Sequence, residues 1–131
     1  MDVLLVEDEP SIREFLQDDL TDAGLSVVPA PNAEMGLAAA ANDNQPPVVL
    51  VTDVDLGPGM DGLALAHEAQ RRWPTLAVVV MTGDERNLAR MPEAMRSSCF
   101  VKPFSPLRLA NKVKELMGRS AGRRQCGEPV P

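Results

Sequence analysis

Five side chains of this 131-residue chain sit where chemistry is expected: Glu7 and Asp8 behind a first apolar run, Asp53 behind a third, Thr82 behind a fourth, and Lys102 behind a fifth. Carboxylates gathered from two such ends raise one another's pKa values and resist desolvation, so they need a cation if all are to ionise together. A hard divalent ion such as Mg2+ meets that need with oxygen ligands and retained waters, and it shares its shell readily with a phosphoryl group. A threonine hydroxyl donates to a phosphoryl oxygen, and a lysine ammonium supplies a positive point charge. The set therefore describes a clamp for phosphoryl transfer in which one carboxylate is left to act as nucleophile.

The elements that must present these residues alternate along the chain. Val3 to Val6 is a continuous apolar run, as in a parallel strand covered on both faces. Pro10 opens a helix with Ile12, Phe15, Leu16 and Leu20 on one side, ending at Gly24, and Leu25 to Val28 predicts a second strand. Asn32 caps an Ala-rich helix through about Ala41, a turn-rich break spans Asn42 to Pro47, and Val48 to Thr52 is the third strand. Beyond the Gly57-Pro58-Gly59 loop, Met60 to Trp73 predicts a helix stopped by Pro74, and Leu76 to Met81 a fourth strand. A short helix over Asp84 to Met91 breaks near Pro92, and Cys99 to Val101 is a brief fifth strand. Ser105 and Pro106 open a last helix with Leu109, Ala110, Val113, Leu116 and Met117 on its core face. Five strands alternating with five helices predict an α/β fold, a doubly wound five-stranded parallel sheet whose ligands bind beyond the carboxyl ends of the strands.

Composition is consistent with one domain. Hydrophobic residues make up 44% and charged residues 24%, enough apolar material for a core without disulfide or structural metal. We read residues 1–117 as the domain and 118–131 as a flexible solvated tail, in which Arg119, Arg123 and Arg124 outnumber Glu128. A formal charge of −6 argues against autonomous binding to nucleic acid. No apolar run approaches the roughly 20 residues of a membrane span, and no secretion signal precedes Glu7, so a cytoplasmic protein is expected. Cys99 and Cys126 offer neither metal spacing nor pairing, and the lone His67 reads as a surface residue on the third helix.

The acidic pair Glu7-Asp8, the strand-terminal Asp53, Asp61-Gly62, Thr82-Gly83 and Lys102-Pro103-Phe104 together resemble the motifs of response-regulator receiver domains over Met1 to Met117. The resemblance implies a flavodoxin-like fold with strand order 2-1-3-4-5 and a phosphoryl group accepted on Asp53 from a sensor histidine kinase or a histidine phosphotransfer protein. It further implies Mg2+ held by Glu7, Asp8, Asp53 and the backbone carbonyl of Asp55. Thr82 and Lys102 would lie on the phosphoryl oxygens, and the Lys102–Pro103 bond would be cis. On this reading the chain is a stand-alone regulator. It catalyses only its own phosphorylation and dephosphorylation and passes the signal to a downstream protein or relays the phosphoryl group.

Departures from the family pattern accompany the match. The loop after Asp53 is one residue longer than the common form, and the interval from Thr82 to Lys102 is short, which predicts a reduced or irregular fourth helix. The family's switch aromatic stands three residues before the lysine, where this chain has Cys99; Phe100, two before it, is the candidate aromatic, although strand alternation sends it to the other face unless a bulge intervenes. Two other readings compete. Asp53-Val54-Asp55 also looks like the nucleophile motif of haloacid-dehalogenase-type phosphatases, with Asp53 attacking a phosphomonoester and Asp55 as acid and base. A third reading is a receiver-like interaction module that works without phosphorylation.

Overall fold

The central apolar runs pair into a parallel sheet because neither of their faces can meet water. In the computed structural model, which describes residues 1–127 and side chains through 119, β1 (Val3–Val6), β2 (Val27–Ala30), β3 (Val49–Asp53), β4 (Ala77–Thr82) and β5 (Cys99–Val101) form one sheet in the order β2-β1-β3-β4-β5. Every residue of β1 and β3 is buried. The strands alternate with α1 (Pro10–Asp22), α2 (Ala33–Ala41), α3 (Gly62–Arg72), α4 (Glu93–Arg96) and α5 (Pro106–Gly127). The expected fold class and strand order are both present.

Side-chain alternation divides the interior in two. Leu4, Val6, Leu50, Val78 and Val80 face Leu37 of α2 and Leu65, Ala66 and Ala69 of α3. Val3, Leu5, Val49, Val51, Val79 and Met81 face Leu16 and Leu20 of α1 and Leu109, Val113 and Leu116 of α5. Parallel register then aligns the strand ends: Val6 lies beside Thr52, Asp53 beside Met81, and Thr82 beside Val101. Residues that follow these positions, Glu7, Asp8 and Lys102, therefore emerge at one edge with Asp53.

Local chemistry sets the boundaries. Asn32 accepts from the Met35 N–H at 2.8 Å, capping α2 where the sequence predicts it. Asp61 does the same for α3 through the Ala64 N–H at 2.8 Å, so that helix begins at Gly62 rather than Met60. The second strand starts two residues later than expected. Gly24 turns with φ of 92°, and the Leu25 N–H donates to the Leu20 carbonyl at 3.2 Å, so Leu25 closes the end of α1 and is buried against it instead of pairing. Pro29 is tolerated because β2 pairs only with β1 and sits at the sheet edge. The fourth helix is irregular, as the short interval predicts: a 3₁₀ turn over Glu85–Arg90, then the four-residue α4 after Pro92. Of the segment read as a tail, α5 carries helical backbone from Gly118 to Gly127; residues 128–131 lie outside the described residues.

One glycine is demanded by close approach. Its Cβ position at Gly62 lies 1.9 Å from the carbonyl oxygen of Asp53 and 2.9 Å from Cα of Val54, and its N–H donates to the Val54 carbonyl at 2.8 Å. The first residue of α3 thus packs directly against the backbone behind Asp53, where no side chain fits. Gly62→Ala is expected to lower stability by about 3 kcal/mol or more, read by urea unfolding, because both contacting groups are backbone and cannot rotate away. A loss under about 0.5 kcal/mol, within the range of an ordinary surface change, would contradict this packing.

Candidate functional site

Glu7 and Asp8 leave β1 just before α1, and the turn that carries them is held from both sides. The Arg13 guanidinium donates to the Glu7 carbonyl at 2.9 Å, and the Glu9 side chain caps α1 through the Ser11 N–H at 3.2 Å. Asp53 ends β3, with the Asp55 N–H donating to its Oδ1 at 3.1 Å. Lys102 follows β5, whose ladder continues through the Lys102 N–H to the Thr82 carbonyl at 2.7 Å. The Lys102–Pro103 bond is cis, as the family resemblance implies.

These elements bring four of the five expected side chains together. Carboxylate oxygens of Glu7, Asp8 and Asp53 all lie within 4.8 Å of one another. Lys102 Nζ donates to Asp53 Oδ2 at 2.6 Å and lies 3.5 Å from Glu7 Oε2. Glu7 and Asp53 are buried while Asp8 is exposed, so the cluster opens to solvent on the Asp8 side. The donor set is entirely carboxylate oxygen, which suits a hard divalent cation rather than a soft one.

Without a cation the cluster is electrostatically crowded. Burial, a hydrogen bond with Asp53 and the negative charge of Asp53 push the Glu7 carboxyl up to about 7, with Lys102 acting in the opposite direction. Partial burial disfavours the Lys102 ammonium, yet its bond to Asp53 and the charges of Asp53 and Glu7 carry its pKa above the ordinary lysine value. The crowding therefore favours a proton on Glu7, and a further positive charge would favour its release.

Thr82 is placed differently from the simple expectation. It is fully buried, and its hydroxyl donates to the Asp84 carbonyl at 3.1 Å while accepting from the Asp84 N–H at 3.1 Å and the Asn87 amide at 2.9 Å. Phe100 departs further. It belongs to the α1/α5 side of the sheet, its ring 5.3 Å from that of Phe104, whereas Cys99 packs on the α2/α3 side with Val78 and Val80. No bulge intervenes, because Cys99, Phe100 and Val101 pair in unbroken register with Val80, Met81 and Thr82. Phe100, the candidate switch aromatic, therefore lies on the face away from Thr82, where strand alternation sends it. Burial raises the Cys99 thiol pKa, so the residue standing there instead is a small apolar filler.

Two positioning residues escaped the sequence reading. Arg13 carries no motif that marks it as a support for the Glu7 turn. Glu34, in the first turn of α2, accepts from the Met60 N–H at 3.4 Å and lies within 3.0 Å of where a Gly59 side chain would begin, so it braces the lengthened loop after Asp53. That loop turns through Gly57 and Gly59 at φ of 74° and 96°.

The family model described as response regulator receiver domain matches residues 3–114. The transcriptional regulatory protein AruR of Pseudomonas aeruginosa is 35% identical over 122 residues, covering 89% of this chain and 49% of AruR, so the chain spans about half that relative's length. An uncharacterized 14.6 kDa protein of Leptolyngbya boryana is 34% identical, with 88% of each chain covered. Among solved structures, NtrX from Brucella abortus in complex with ATP superposes with a TM-score of 0.83 at 29% identity, over 96% of this chain and 29% of NtrX. TrrA from Thermotoga maritima, in complex with Mg2+ and BeF, superposes with a TM-score of 0.77 at 28% identity, over 88% of this chain and 99% of TrrA.

The raised Glu7 pKa fixes a sign for pH dependence. Below its usual value of 4.5 the carboxyl is protonated in both folded and unfolded chains; between 4.5 and about 7 the unfolded chain ionises first. Stability of the metal-free protein is expected to fall as pH rises through that window. Glu7→Gln should remove the fall and stabilise the metal-free protein by about 1–3 kcal/mol at neutral pH, while weakening divalent-cation binding. Urea unfolding across the window with chelator present, and cation titration at pH 7, check both effects.

Proposed function

This chain belongs to the response regulator receiver domain family, and from that membership we propose that it accepts a phosphoryl group on Asp53 from a phosphohistidine donor. Receiver domains of two-component response regulators interact with histidine kinases and downstream targets. The observation that carries the assignment is the Asp53 carboxylate paired at 2.6 Å with Lys102 inside a cluster of two further carboxylates. Glu7, Asp8, Asp53 and the Asp55 carbonyl are the groups assigned to hold Mg2+, an assignment supported by the oxygen-only donors and by the TrrA complex with Mg2+ and BeF. A bound Mg2+ supplies charge neutralisation for the phosphoryl oxygens.

The chain's own residues do the rest. One Asp53 oxygen attacks phosphorus in line; the P–O bond forms, the P–N bond to the donor imidazole breaks, and its electron pair returns to the ring nitrogen. Lys102, already on Oδ2, turns its ammonium to the charge that moves onto the phosphoryl oxygens. Dephosphorylation is attack by water on the same phosphorus, which restores the Asp53 carboxylate and releases inorganic phosphate. The protein thus acts only on itself. In the phosphorylated form the Thr82 hydroxyl leaves Asp84 for a phosphoryl oxygen and changes the surface between β4 and α5 that a partner reads. A cytoplasmic location and no contact with nucleic acid by this domain complete the proposal. No helix among the described residues is long and apolar enough to cross a membrane.

The haloacid-dehalogenase-type alternative is not favoured, because Asp53-Val54-Asp55 follows the third strand of a receiver fold and Asp55 is exposed. Nor is the phosphorylation-independent module, since the acidic trio and Lys102 are all in place. Asp53→Asn is expected to abolish phosphoryl uptake from a competent histidine kinase while leaving a folded domain, read by radiolabel incorporation and circular dichroism. The unaltered chain takes up a single equivalent and does not turn over small phosphomonoesters. Equal labelling of Asp53→Asn refutes the acceptor.

A further inference from the structure

The Thr82 hydroxyl has one proton and two lone pairs, and all three are engaged: the proton on the Asp84 carbonyl, the lone pairs on the Asp84 N–H and on Asn87 Nδ2. Its amide partner is not free to turn. Arg90 Nη1 donates to Asn87 Oδ1 at 3.1 Å, and since a guanidinium only donates, the amide oxygen must face Arg90 and the amide N–H must face Thr82. Arg90 is itself fixed, with Nη2 on Asp61 Oδ2 at 2.8 Å, while the other Asp61 oxygen caps α3. Thr82, Asn87, Arg90 and Asp61 thus form one chain of hydrogen bonds, running from the end of β4 through the 3₁₀ turn to the first residue before α3. The end of that chain adjoins Gly62, which packs on the Asp53 carbonyl.

We infer that Asn87 is a positioning residue that latches the Thr82 hydroxyl into its local turn and opposes its move to a phosphoryl group on Asp53, with Arg90 and Asp61 holding the latch. The inference rests on Asp53 being the acceptor. To donate to a phosphoryl oxygen, Thr82 must withdraw its proton from Asp84, and the χ1 rotation that carries its oxygen toward Asp53 strips Asn87 Nδ2 of its acceptor. Asn87 is 8% exposed, so that amide has little water to replace the lost partner. The unmatched donor disfavours the switched arrangement, and Arg90 prevents the amide from flipping to relieve it. The irregular turn over Glu85–Arg90 is what places both Asn87 and Arg90 within reach, three residues apart on one side. On the face that Thr82 shares, Cys99 offers no aromatic ring to follow the hydroxyl, so the latch is the polar contact available to sense its position.

The test is calorimetric titration of beryllofluoride, a phosphoryl mimic, in saturating Mg2+. Asn87→Ala is expected to bind it about three- to tenfold more tightly than the unaltered protein, the weight of one neutral hydrogen bond. Arg90→Gln, an exposed change that leaves the 3₁₀ backbone intact, shifts affinity in the same direction by less, and serves if Asn87→Ala fails to fold. In a Thr82→Ala background, Asn87→Ala should have no effect on affinity, which separates a latch on the hydroxyl from a general loosening of the turn. Equal affinity in the unaltered, Asn87→Ala and Arg90→Gln proteins, or an undiminished gain in the Thr82→Ala background, overturns the latch alone. Absence of any beryllofluoride binding by the unaltered protein overturns the acceptor reading and the latch with it.

Discussion

The 2.6 Å contact between Lys102 and Asp53 is the constraint on which the remaining site chemistry turns. It joins the end of β3 to the residue after β5, across β4, and it is the positive charge that the buried carboxylates Asp53 and Glu7 share. One ammonium does not balance three carboxylates gathered within a few ångströms, so the Glu7 pKa is raised and the cluster stays short of positive charge. That shortage is what the proposed phosphoryl chemistry would draw on. A site already neutral would have no reason to recruit a cation and little to gain from rearranging around an added phosphoryl group.

Maintaining such a cluster requires a frame that does not yield to its repulsion. The buried strands β1 and β3 carry the acidic residues at their carboxyl ends, and apolar layers on both faces leave the strands no direction in which to relax. Supports at the rim are equally specific. Arg13 holds the Glu7 carbonyl, the Asp55 N–H holds Asp53 Oδ1, and Gly62 allows α3 to press against the Asp53 backbone. Fold and site are therefore one problem: the hydrophobic layers supply the rigidity that the polar edge uses.

Much of this is legible in the residues. The apolar runs and their polar terminators give the sheet, its parallel sense and the grouping of Glu7, Asp8, Asp53 and Lys102, because parallel register puts every strand's carboxyl end at one edge. Asn32 and Pro106 mark helix starts through local capping rules that operate without tertiary context. What escapes depends on which partner each residue meets in turns and loops, whether near or far in sequence. Leu25 reads as strand, yet it is apolar to seal α1. Thr82 reads as a donor to a phosphoryl oxygen, yet its hydroxyl is engaged by partners two and five residues on, in a turn whose irregular geometry no periodicity conveys. Arg13, Glu34 and Arg90 are surface-type charges by composition, and only the folded chain shows which backbone or carboxylate each one meets.

The brace from Glu34 to the loop after Asp53 has a consequence for how this domain tolerates exchange of parts. Its carboxylate reaches across from α2 to the Met60 N–H, and the space it occupies is the space that any side chain at Gly59 would claim. The longer loop is thus not a self-contained graft. Transplanted into a relative of the common length without the α2 glutamate, it would lose its guy-rope, and a relative's shorter loop placed here would strand the glutamate. Loop and opening turn of the preceding helix thus meet at one carboxylate, so an exchange that moves both together keeps this contact beside the approach to Asp53.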